Sequence, residues 1–377
     1  KESNYSLAKA LATVGSDENR AKEREIARKA VTVVKNENNA LPLNVTKKSK
    51  VLMLCPYTNE QSQMLMGWNR AKKAGLIPDG AEVKVQCFMG HDDLETVKEN
   101  IDWADTVIIN SEIYGTYYTN YKHWLSAGPN NFTKYCKENN KTSVIMSVDL
   151  PYDVQLYPYA DAILAVYGDI GSSVDPTEAI VGGATTSKAA YGPNIIAGVE
   201  VALGTFGATG TLPVNVTKYD ADSNSYTDEI VYKRGHGITY DAKTINRDEL
   251  ENKVAELEKL EKGNYTDASW SVFEIALNDA KEVLSKVSSQ EDIDEALATL
   301  NKAYEALTEN KKEEPTNPSD KKDESTNKKD ETVKTETKKN TQKSKVKTGD
   351  NTVITAFAVM MFISGCVFVL ARRKRND

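Results

Sequence analysis

Two carboxylates in a glycine- and serine-rich stretch are the side chains best placed for acid–base chemistry. Asp175 and Glu178 lie within Gly168–Pro193, a loop-like segment that follows a short apolar run. Open α/β sheets bind ligands at the carboxyl ends of their strands, which is where this segment would begin. Glu178 could therefore serve as a general acid. The alternative, which we favour, is a solvated carboxylate at the start of a helix.

The histidines do not suggest a metal site or a catalytic pair. His91, His123 and His236 are far apart and lack a ligand spacing such as HExxH. We interpret them as polar loop or packing residues. Gly182-Gly183 is not a phosphate-binding loop, because neither a GKS/T nor a GxGxxG pattern follows. We therefore expect no cofactor and no metal ion.

Composition indicates a folded chain of two or three domains. The 377 residues are 40% hydrophobic and carry a formal net charge of -7, which argues against a nucleic-acid partner. Cys366 lies in an apolar run near the C-terminus. We expect Cys55, Cys87 and Cys136 to be buried free thiols and not a disulfide framework.

Residues 30–245 alternate short apolar runs with helical stretches, which predicts an α/β fold whose mostly parallel sheet is flanked by helices. The predicted buried strands are Val51–Tyr57, Val83–Phe88, Asp105–Asn110, Ser143–Val148 and Asp161–Tyr167, with Thr211–Val216 as the last strand. The predicted helices lie near Glu60–Lys73, Asp92–Trp103, Asn130–Asn139 and Pro193–Leu203. Before them, we expect a buried helix to end within Ala30–Val34 and the chain to turn into this domain through Leu41-Pro42-Leu43.

Residues 246–310 repeat apolar side chains at helical steps of three and four. The stripes begin at Leu250, Trp270 and Ile293 and predict three helices of about 12–18 residues in a small antiparallel bundle. Asp267 and Ser289 are the expected N-caps of the second and third helices. The aromatic members of these stripes are expected in the core of the bundle.

The C-terminal part of the chain predicts a stalk and a membrane anchor. Residues 311–347 are charged and polar, with few apolar side chains, and are predicted to be disordered. Val353–Ala371 then runs for 19 residues without a charge, about 28 Å as a helix, which matches the bilayer core. The basic residues Arg372–Arg375 follow it and place that end in the cytoplasm, so the preceding chain is expected on the extracellular face.

Thr348-Gly349, the apolar span and the basic end within residues 348–377 resemble the cell-wall sorting signal of Gram-positive surface proteins. The family pattern is Leu-Pro-x-Thr-Gly, whereas this chain has Lys345-Val346-Lys347 before Thr348-Gly349. The resemblance implies cleavage between Thr348 and Gly349 by sortase and attachment to peptidoglycan. The missing Leu and Pro leave membrane retention as the alternative.

Three segments resemble the C-terminal domain of glycoside hydrolase family 3. AVTVVKNENNALPL at Ala30–Leu43 resembles the family's entry into this domain, and Asn194–Val216 resembles its helix and Gly-x-Leu-Pro-Val strand. Tyr232–Tyr240, YKRGHGITY, resembles its closing Gly-x-Gly segment. The resemblance covers about residues 10–241 and implies hydrolysis of glycosidic bonds in a glycan substrate.

Among the subgroups of the family, VGSDENRAKEREIARKAVTVVKNENN and PYTNEQS look most like the bacterial β-N-acetylhexosaminidases. The resemblance implies that a catalytic barrel precedes this domain and supplies the nucleophile. Residues 1–29 would then be a helical linker from that barrel, which this chain does not contain. We therefore expect no turnover by the chain alone. A β-glucosidase of the same family is the alternative sugar specificity.

Leu260–Leu307 resembles the FIVAR module of surface proteins that act on glycans, through Tyr265-Thr266, Trp270 and Phe273. The resemblance implies a spacer or a glycan-binding unit. Two hypotheses follow for the whole chain. It is the non-nucleophile part of a surface-anchored glycoside hydrolase, or it is a non-catalytic surface scaffold or glycan-binding protein.

Overall fold

The computed structural model describes residues 6–168 and 192–311. The helices are α1 Leu7–Thr13, α2 Asp17–Ala30, α3 Glu60–Lys73, α4 Glu95–Trp103, α5 Trp124–Glu138, α6 Pro193–Ala202, α7 Asp248–Leu257, α8 Asp267–Ser285 and α9 Gln290–Glu305. The strands are β1 Thr32–Asn36, β2 Lys50–Cys55, β3 Glu82–Cys87, β4 Thr106–Ile113, β5 Thr142–Asp149, β6 Ala162–Ala165, β7 Val216–Asp220 and β8 Ser225–Tyr232.

Six strands form one sheet in the order β1-β6-β5-β4-β2-β3. Strands β2 to β6 are parallel to their neighbours, and only β1 runs antiparallel, against β6. The central strands β4 and β5 are buried on both faces, which explains why they consist of continuous apolar runs. The predicted α/β class with a mostly parallel sheet is confirmed.

The order of the strands reverses between β2 and β4. From β2 the chain crosses to β3 on one side, then returns past β2 to place β4 on the other side, and β5 and β6 continue outward. Helices that leave these two strands therefore lie on opposite faces of the sheet, and the carboxyl ends of β2 and β4 mark the point of reversal. This is the position at which doubly wound folds bind ligands.

Alternate residues of β2 enter two separate cores. Val51 and Met53 pack with α3 and α6 on one face, whereas Leu52 and Leu54 pack with α4 and α5 on the other. Helices α3 and α6 approach each other closely at Gly67. A Cβ atom built there would lie 2.6 Å from Cβ of Val199, so only glycine allows this packing.

Helices α7, α8 and α9 share a third core that includes Leu250, Phe273, Leu277 and Leu300. All three predicted helices are therefore present. Ser289 caps α9 in a capping box with Asp292, as predicted. The expected cap of α8 is wrong by one residue, because the side chain of Thr266, and not of Asp267, accepts the hydrogen bond.

The helical bundle lies against the α/β domain within one compact unit, Lys1–Lys312. Nζ of Lys47 is 3.0 Å from Oδ1 of Asp292 and 2.5 Å from Oε2 of Glu295, both on α9. The backbone of Gly75, at φ +79, packs closely against the carbonyl oxygen of Ser288. These contacts fix α9 beside the loop before β2 and the loop after α3.

Three predicted elements differ from the structure. A helix does end at Ala30, as expected, but only Ala27 of α2 is buried, and the apolar run continues into β1, which begins at Thr32. The β-branched side chains of Val31, Thr32, Val33 and Val34 favour the extended conformation, and pairing with β6 buries them. The linker therefore enters the sheet as an edge strand.

Thr211–Val216 is not a strand. Pro213 has no N–H group to donate to a neighbouring strand. The segment is held by two isolated hydrogen bonds, from the N–H of Leu212 to the carbonyl of His236 and from the N–H of Gly235 to the carbonyl of Leu212. The strand starts at Val216 and forms a hairpin with β8. Helix α5 also starts six residues before the predicted Asn130, since it continues through Gly128 and Pro129.

Candidate functional site

Aromatic side chains cluster at the carboxyl ends of β2 and β4. Strand β2 ends at Cys55 and is followed by Tyr57, and β4 ends at Ile113 and is followed by Tyr114. The two strands are adjacent and parallel, with Leu54 opposite Ile109, so both tyrosines emerge at the same edge of the sheet. The point where strand order reverses is therefore lined by aromatic rings.

These rings form a continuous cluster that we name the aromatic surface. Its members are Tyr57, Tyr114, Tyr117, Tyr118, His123 and Trp124. The ring centroids of Tyr114 and Tyr118 are 4.4 Å apart, and those of Tyr118 and His123 are 4.6 Å apart. The hydroxyl of Tyr114 is hydrogen-bonded to those of Tyr57 and Tyr118. The cluster thus presents fixed rings and a line of hydroxyl groups.

Local structure holds the aromatic surface in place. A short 3-10 helix, Thr116–Thr119, follows β4 and turns Tyr117 and Tyr118 back over the edge of the sheet. His123 then caps α5, because its Nδ1 accepts the N–H of Leu125 at 3.3 Å. Tyr117 is 69% exposed and Tyr114 is 39% exposed. Large exposed rings of this kind mark binding surfaces, since folded proteins seldom expose a contiguous aromatic patch.

A buried carboxyl pair lies below the aromatic surface. Glu60, at the start of α3, and Glu112, in β4, are 2% and 1% exposed, and their carboxyl groups are hydrogen-bonded to each other. Nδ2 of Asn110 donates to Oε2 of Glu60 at 2.6 Å. Burial raises the pKa of Glu60 well above its usual value, and the charge of Glu112 raises it further. Burial beside Glu112 therefore favours the protonated form of Glu60.

A second buried network lies at the end of β5. Oγ of Ser111 donates to Oδ2 of Asp153 at 2.5 Å, and Ser147 donates to the other carboxyl oxygen. The hydroxyl of Tyr157 is bonded to Ser111. Burial raises the pKa of Asp153 to about 7, although the two serine donors oppose the shift. This network ties β4 and β5 to the segment Pro151–Gln155.

Two cysteines face each other on neighbouring strands beside the carboxyl pair. Cys55 of β2 and Cys87 of β3 are in register, and their side chains are hydrogen-bonded. That bond lowers the pKa of Cys87. Cys55, Cys87 and Cys136 are free, as predicted, but the prediction of burial is wrong for Cys87, which is half-buried.

The buried carboxyl groups cannot carry out glycosidic hydrolysis as a pair. A retaining mechanism needs two carboxyl groups about 5–5.5 Å apart on either side of an open cleft, and an inverting one needs a wider gap. Glu60 and Glu112 are in direct contact and shielded from solvent. We therefore assign Glu60 and Glu112 a structural role between α3 and β4, and not attack on a sugar.

The structure separates the residues that the sequence singled out. His91, exposed, has Nδ1 3.4 Å from Oδ2 of Asp93. His236 stacks on Tyr232 and has Nε2 2.9 Å from the carbonyl of Val34. Only His123 belongs to the aromatic surface. Asp175, Glu178, Gly182-Gly183, Thr348 and Gly349 lie outside the described residues.

Residues 6–168 and 192–311 contain neither a metal-binding cluster nor a membrane-spanning helix. In these ranges no group of three or more His, Cys, Asp or Glu side chains is arranged to hold a metal ion. In the same ranges no helix has the length and apolar character needed to cross a bilayer. The predicted span, Val353–Ala371, lies outside them.

Sequence reasoning missed the aromatic surface and the carboxyl pair. The predicted strand Asp105–Asn110 stopped three residues before the end of β4, which left Glu112 and the following tyrosines unassigned. A usable signal was present, since Tyr114–Trp124 contains five aromatic side chains and one histidine directly after a buried strand. The pairing of Glu60 with Glu112 had no such signal, because it depends on strand order.

No protein-family model matches the chain, and no curated protein matches it. The chain does match several solved structures over part of its length. A β-glucosidase from Listeria innocua in complex with gluconolactone is 17% identical, over 60% of this chain and 34% of that one, with a TM-score of 0.36. A glycoside hydrolase family 3 β-N-acetylglucosaminidase from Paenibacillus is 13% identical, over 52% of this chain and 32% of that one, with a TM-score of 0.36.

A β-glucosidase from Erythrobacter marinus is 16% identical, over 62% of this chain and 36% of that one, with a TM-score of 0.40. This chain therefore spans about a third of the length of the solved structures it matches. The structures to which the chain is similar are glycoside hydrolases.

Proposed function

We propose that the chain is the C-terminal, non-nucleophile part of a glycoside hydrolase that acts on N-acetylglucosamine-containing glycans. Its α/β domain contacts the glycan through the aromatic surface. The observation that carries the proposal is the position of this surface, at the carboxyl ends of β2 and β4 where strand order reverses.

The chemistry of the aromatic surface fits a sugar. A pyranose ring has apolar C–H faces and a rim of hydroxyl groups. Tyrosine offers the matching pair of features, an apolar ring and a polar hydroxyl. Tyr114 and Tyr117 supply exposed rings, and the bonded hydroxyls of Tyr57, Tyr114 and Tyr118 supply donors and acceptors. An N-acetyl group adds a methyl and an amide that the same surface can contact.

The proposal assigns binding to this domain and attack on the sugar to groups outside the described residues. The buried pair Glu60 and Glu112 does not meet the geometry of a catalytic pair. Glu178 stays a weaker candidate for a general acid, as the sequence suggests. We therefore expect the chain to bind glycans without hydrolysing them.

The rest of the proposal concerns location and follows from the sequence. The helical bundle, which resembles a FIVAR module, and residues 311–347 would hold the α/β domain away from the cell. Val353–Ala371 would retain the chain in the membrane, with the domains on the extracellular face. Sortase and peptidoglycan would become partners if the bond between Thr348 and Gly349 is cleaved.

Calorimetric titration with oligosaccharides tests the proposed sugar. The full chain, kept in a polyoxyethylene detergent that carries no sugar, is titrated with chitotriose and with cellotriose. We expect chitotriose to bind at least about tenfold more tightly, a difference of roughly 1.4 kcal/mol. Tighter binding of cellotriose would favour the β-glucosidase alternative. Absence of binding to both would contradict a glycan-binding role.

A turnover assay tests the division of labour. The full chain is incubated with a chromogenic β-N-acetylglucosaminide beside a heat-treated sample. We expect equal colour from both. Faster release from the native chain would show that the chain carries a complete catalytic pair. A Glu178→Gln variant would then show whether that residue supplies the acid.

A non-catalytic glycan-binding protein is the second candidate. It is favoured by the exposed rings of Tyr114 and Tyr117, because binding needs such a surface and no catalytic group. The reading frame upstream of Lys1 distinguishes the two. A barrel domain with a Lys-His-Phe-Pro-Gly-type segment supports the hydrolase, whereas a start codon with a signal peptide directly before Lys1 supports the binding protein.

A further inference from the structure

We propose that Cys55 and Cys87, which we name the thiol pair, are a redox-active site that peroxide oxidises to a disulfide between β2 and β3. The two residues end neighbouring parallel strands and are in register with each other. Both are free thiols in this structure, which therefore shows the reduced form.

The sulfur atoms of the thiol pair lie toward each other. Sγ of Cys55 is 3.7 Å from the carbonyl oxygen of Gln86, the residue before Cys87. Sγ of Cys87 is 3.3 Å from the carbonyl oxygen of Pro56, the residue after Cys55. Each sulfur thus lies beside the backbone of the partner strand, and the two side chains are hydrogen-bonded to each other. The two thiols are in contact before any oxidant arrives.

The spacing of the backbone fits a disulfide. Neighbouring strands lie about 4.7–4.9 Å apart, and disulfides join Cα atoms that are about 4.4–6.8 Å apart. Cys55 and Cys87 are directly paired residues of such strands, and both side chains pack in the core on the same face of the sheet. An S–S bond between them therefore needs no change of register.

Burial and hydrogen bonding divide the roles between the two thiols. Strand β3 is the last strand of the sheet, and Cys87 is half-buried, so a small oxidant reaches it first. Hydrogen bonds from Cys55 and from the N–H of Met89 lower the pKa of Cys87, which favours the thiolate that attacks peroxide. The bond to Cys87 and burial raise the pKa of Cys55. Cys87 is therefore the attacking thiol and Cys55 the resolving thiol.

The oxidation has two steps, with hydrogen peroxide as the oxidant. The Cys87 thiolate attacks one peroxide oxygen, so that an S–O bond forms, the O–O bond breaks and the released hydroxide takes up a proton to become water. The sulfur of Cys55 then attacks Sγ of Cys87, so that the S–S bond forms and the S–O bond breaks. The departing hydroxide takes up the thiol proton of Cys55 as the second water. Two thiols and one peroxide thus give one disulfide and two waters.

Cys136 provides an internal comparison. It packs in the core on the opposite face of the sheet from the thiol pair. Burial raises the pKa of Cys136 to about 12, so its thiol stays protonated and reacts slowly. Selective oxidation of the thiol pair is therefore measurable within one molecule. This inference does not depend on the proposed glycan-binding function.

Peptide mass spectrometry of the full chain tests the proposal. A Cys366→Ser background leaves Cys55, Cys87 and Cys136 as the only thiols. The protein, kept in a polyoxyethylene detergent, is treated with hydrogen peroxide, quenched with catalase, denatured in iodoacetamide and cut with trypsin, which places the thiol pair on two peptides. We expect these peptides to be joined, lighter by two hydrogens, and to separate in dithiothreitol. The thiol pair should be lost at least about tenfold faster than Cys136.

Three results of this experiment would overturn the proposal. One is oxidation of Cys87 to a sulfinic acid while Cys55 is still alkylated. Another is loss of Cys136 at the same rate as the thiol pair. The third comes from a control that is unfolded in urea before oxidation, in which we expect links among all three cysteines. The same mixture of links from the folded chain would show that the fold does not select the pair.

Single substitutions test the two roles. In Cys55→Ser the resolving thiol is gone, so the sulfenic acid of Cys87 should persist and be trapped by dimedone at least about fivefold more than in the original chain. Cys136→Ser is the matched control and should form the link at an unchanged rate. Equal trapping in Cys55→Ser and in the original chain would overturn the assignment of Cys55 as the resolving thiol.

The melting temperature tests whether the link fits the fold. The disulfide joins residues that are 32 positions apart in the chain, and such a link restricts the unfolded chain. We therefore expect the oxidised protein to melt at a higher temperature than the reduced protein in scanning calorimetry. An equal or lower melting temperature would mean that the S–S bond distorts the two strands, and would overturn the site.

Discussion

The carboxyl groups of Glu60 and Glu112 are hydrogen-bonded to each other in the interior, at the point where strand order reverses. One comes from the first turn of α3 and the other from β4. Two carboxylates this close cannot both ionise without a large penalty, so the folded chain keeps a proton on the pair. The contact between α3 and β4 below the aromatic surface is therefore sensitive to pH.

Glu60→Gln should make the fold less sensitive to alkaline pH. The pKa of Glu60 is raised in the folded chain, so its contribution to stability is present at low pH and is lost as the pH rises above its usual value of 4.5. Glutamine donates a hydrogen bond to Glu112 without needing a proton. At pH 8 the variant should therefore be more stable than the original chain, and the difference should disappear towards pH 4.

Urea unfolding from pH 4 to pH 8 measures this difference. Glu99→Gln, an exposed substitution on α4, serves as the control and should follow the original chain at every pH. A stability gain for Glu60→Gln that is the same at every pH, or a loss at pH 8, would show that the two carboxyl groups do not share a proton.

Asp153→Asn should remove a second loss of stability that occurs as the pH rises. The pKa of Asp153 is raised from 3.8 to about 7 by burial, so the folded state binds a proton there that the unfolded state has released. Stability falls as the pH rises from about 4 to about 7, by roughly 4 kcal/mol for a shift of this size. The asparagine variant should show a flatter profile in thermal unfolding across this range. An identical slope in both proteins would contradict the assignment.

Cys87 should react with alkylating reagents before the other described cysteines. The hydrogen bond from Cys55 lowers the pKa of Cys87, and Cys87 is half-buried, whereas Cys55 and Cys136 are buried and have raised pKa values. Brief treatment with iodoacetamide at pH 7, followed by peptide mass spectrometry, measures the order of modification. Cys55→Ser should slow the reaction of Cys87. Earlier modification of Cys136 would count against the thiol pair.

Lys47→Ala tests how the helical bundle is held on the α/β domain. The ammonium group pairs with Asp292 and Glu295 on α9, and all three side chains are partly exposed, so we expect a loss of about 0.5–1 kcal/mol. Lys48→Ala, at the exposed neighbouring position, is the matched control. The difference between the two variants should shrink in 1 M salt, since salt screens exposed ion pairs. A difference that persists in 1 M salt would mean that packing, and not charge, dominates the contact.

The sequence predicts the parallel sheet well because β2, β4, β5 and β6 each contain a short apolar run, and β3 alternates apolar and polar side chains. The prediction fails at β1, because the apolar run Val31–Val34 could be buried in a helix or in a strand. Only pairing with β6 decides between the two. The candidate site is harder to predict than the sheet. The rings of Tyr57 and Trp124 are 67 residues apart in the chain, and their centroids lie 5.9 Å apart because Tyr57 follows β2 and Trp124 follows the neighbouring strand β4. Local patterns carry no information about that adjacency.

The affinity of aromatic-surface variants for chitotriose tests the central claim most directly. Tyr114→Ala and Tyr117→Ala each remove an exposed ring, and Tyr159→Ala removes a ring of similar exposure, 37% against 39% for Tyr114, three residues before β6. We expect calorimetric titration to show about fivefold to tenfold weaker binding for each of the first two and an unchanged value for the third. Equal affinities in all three variants and the original chain would contradict the assignment of glycan binding to this surface.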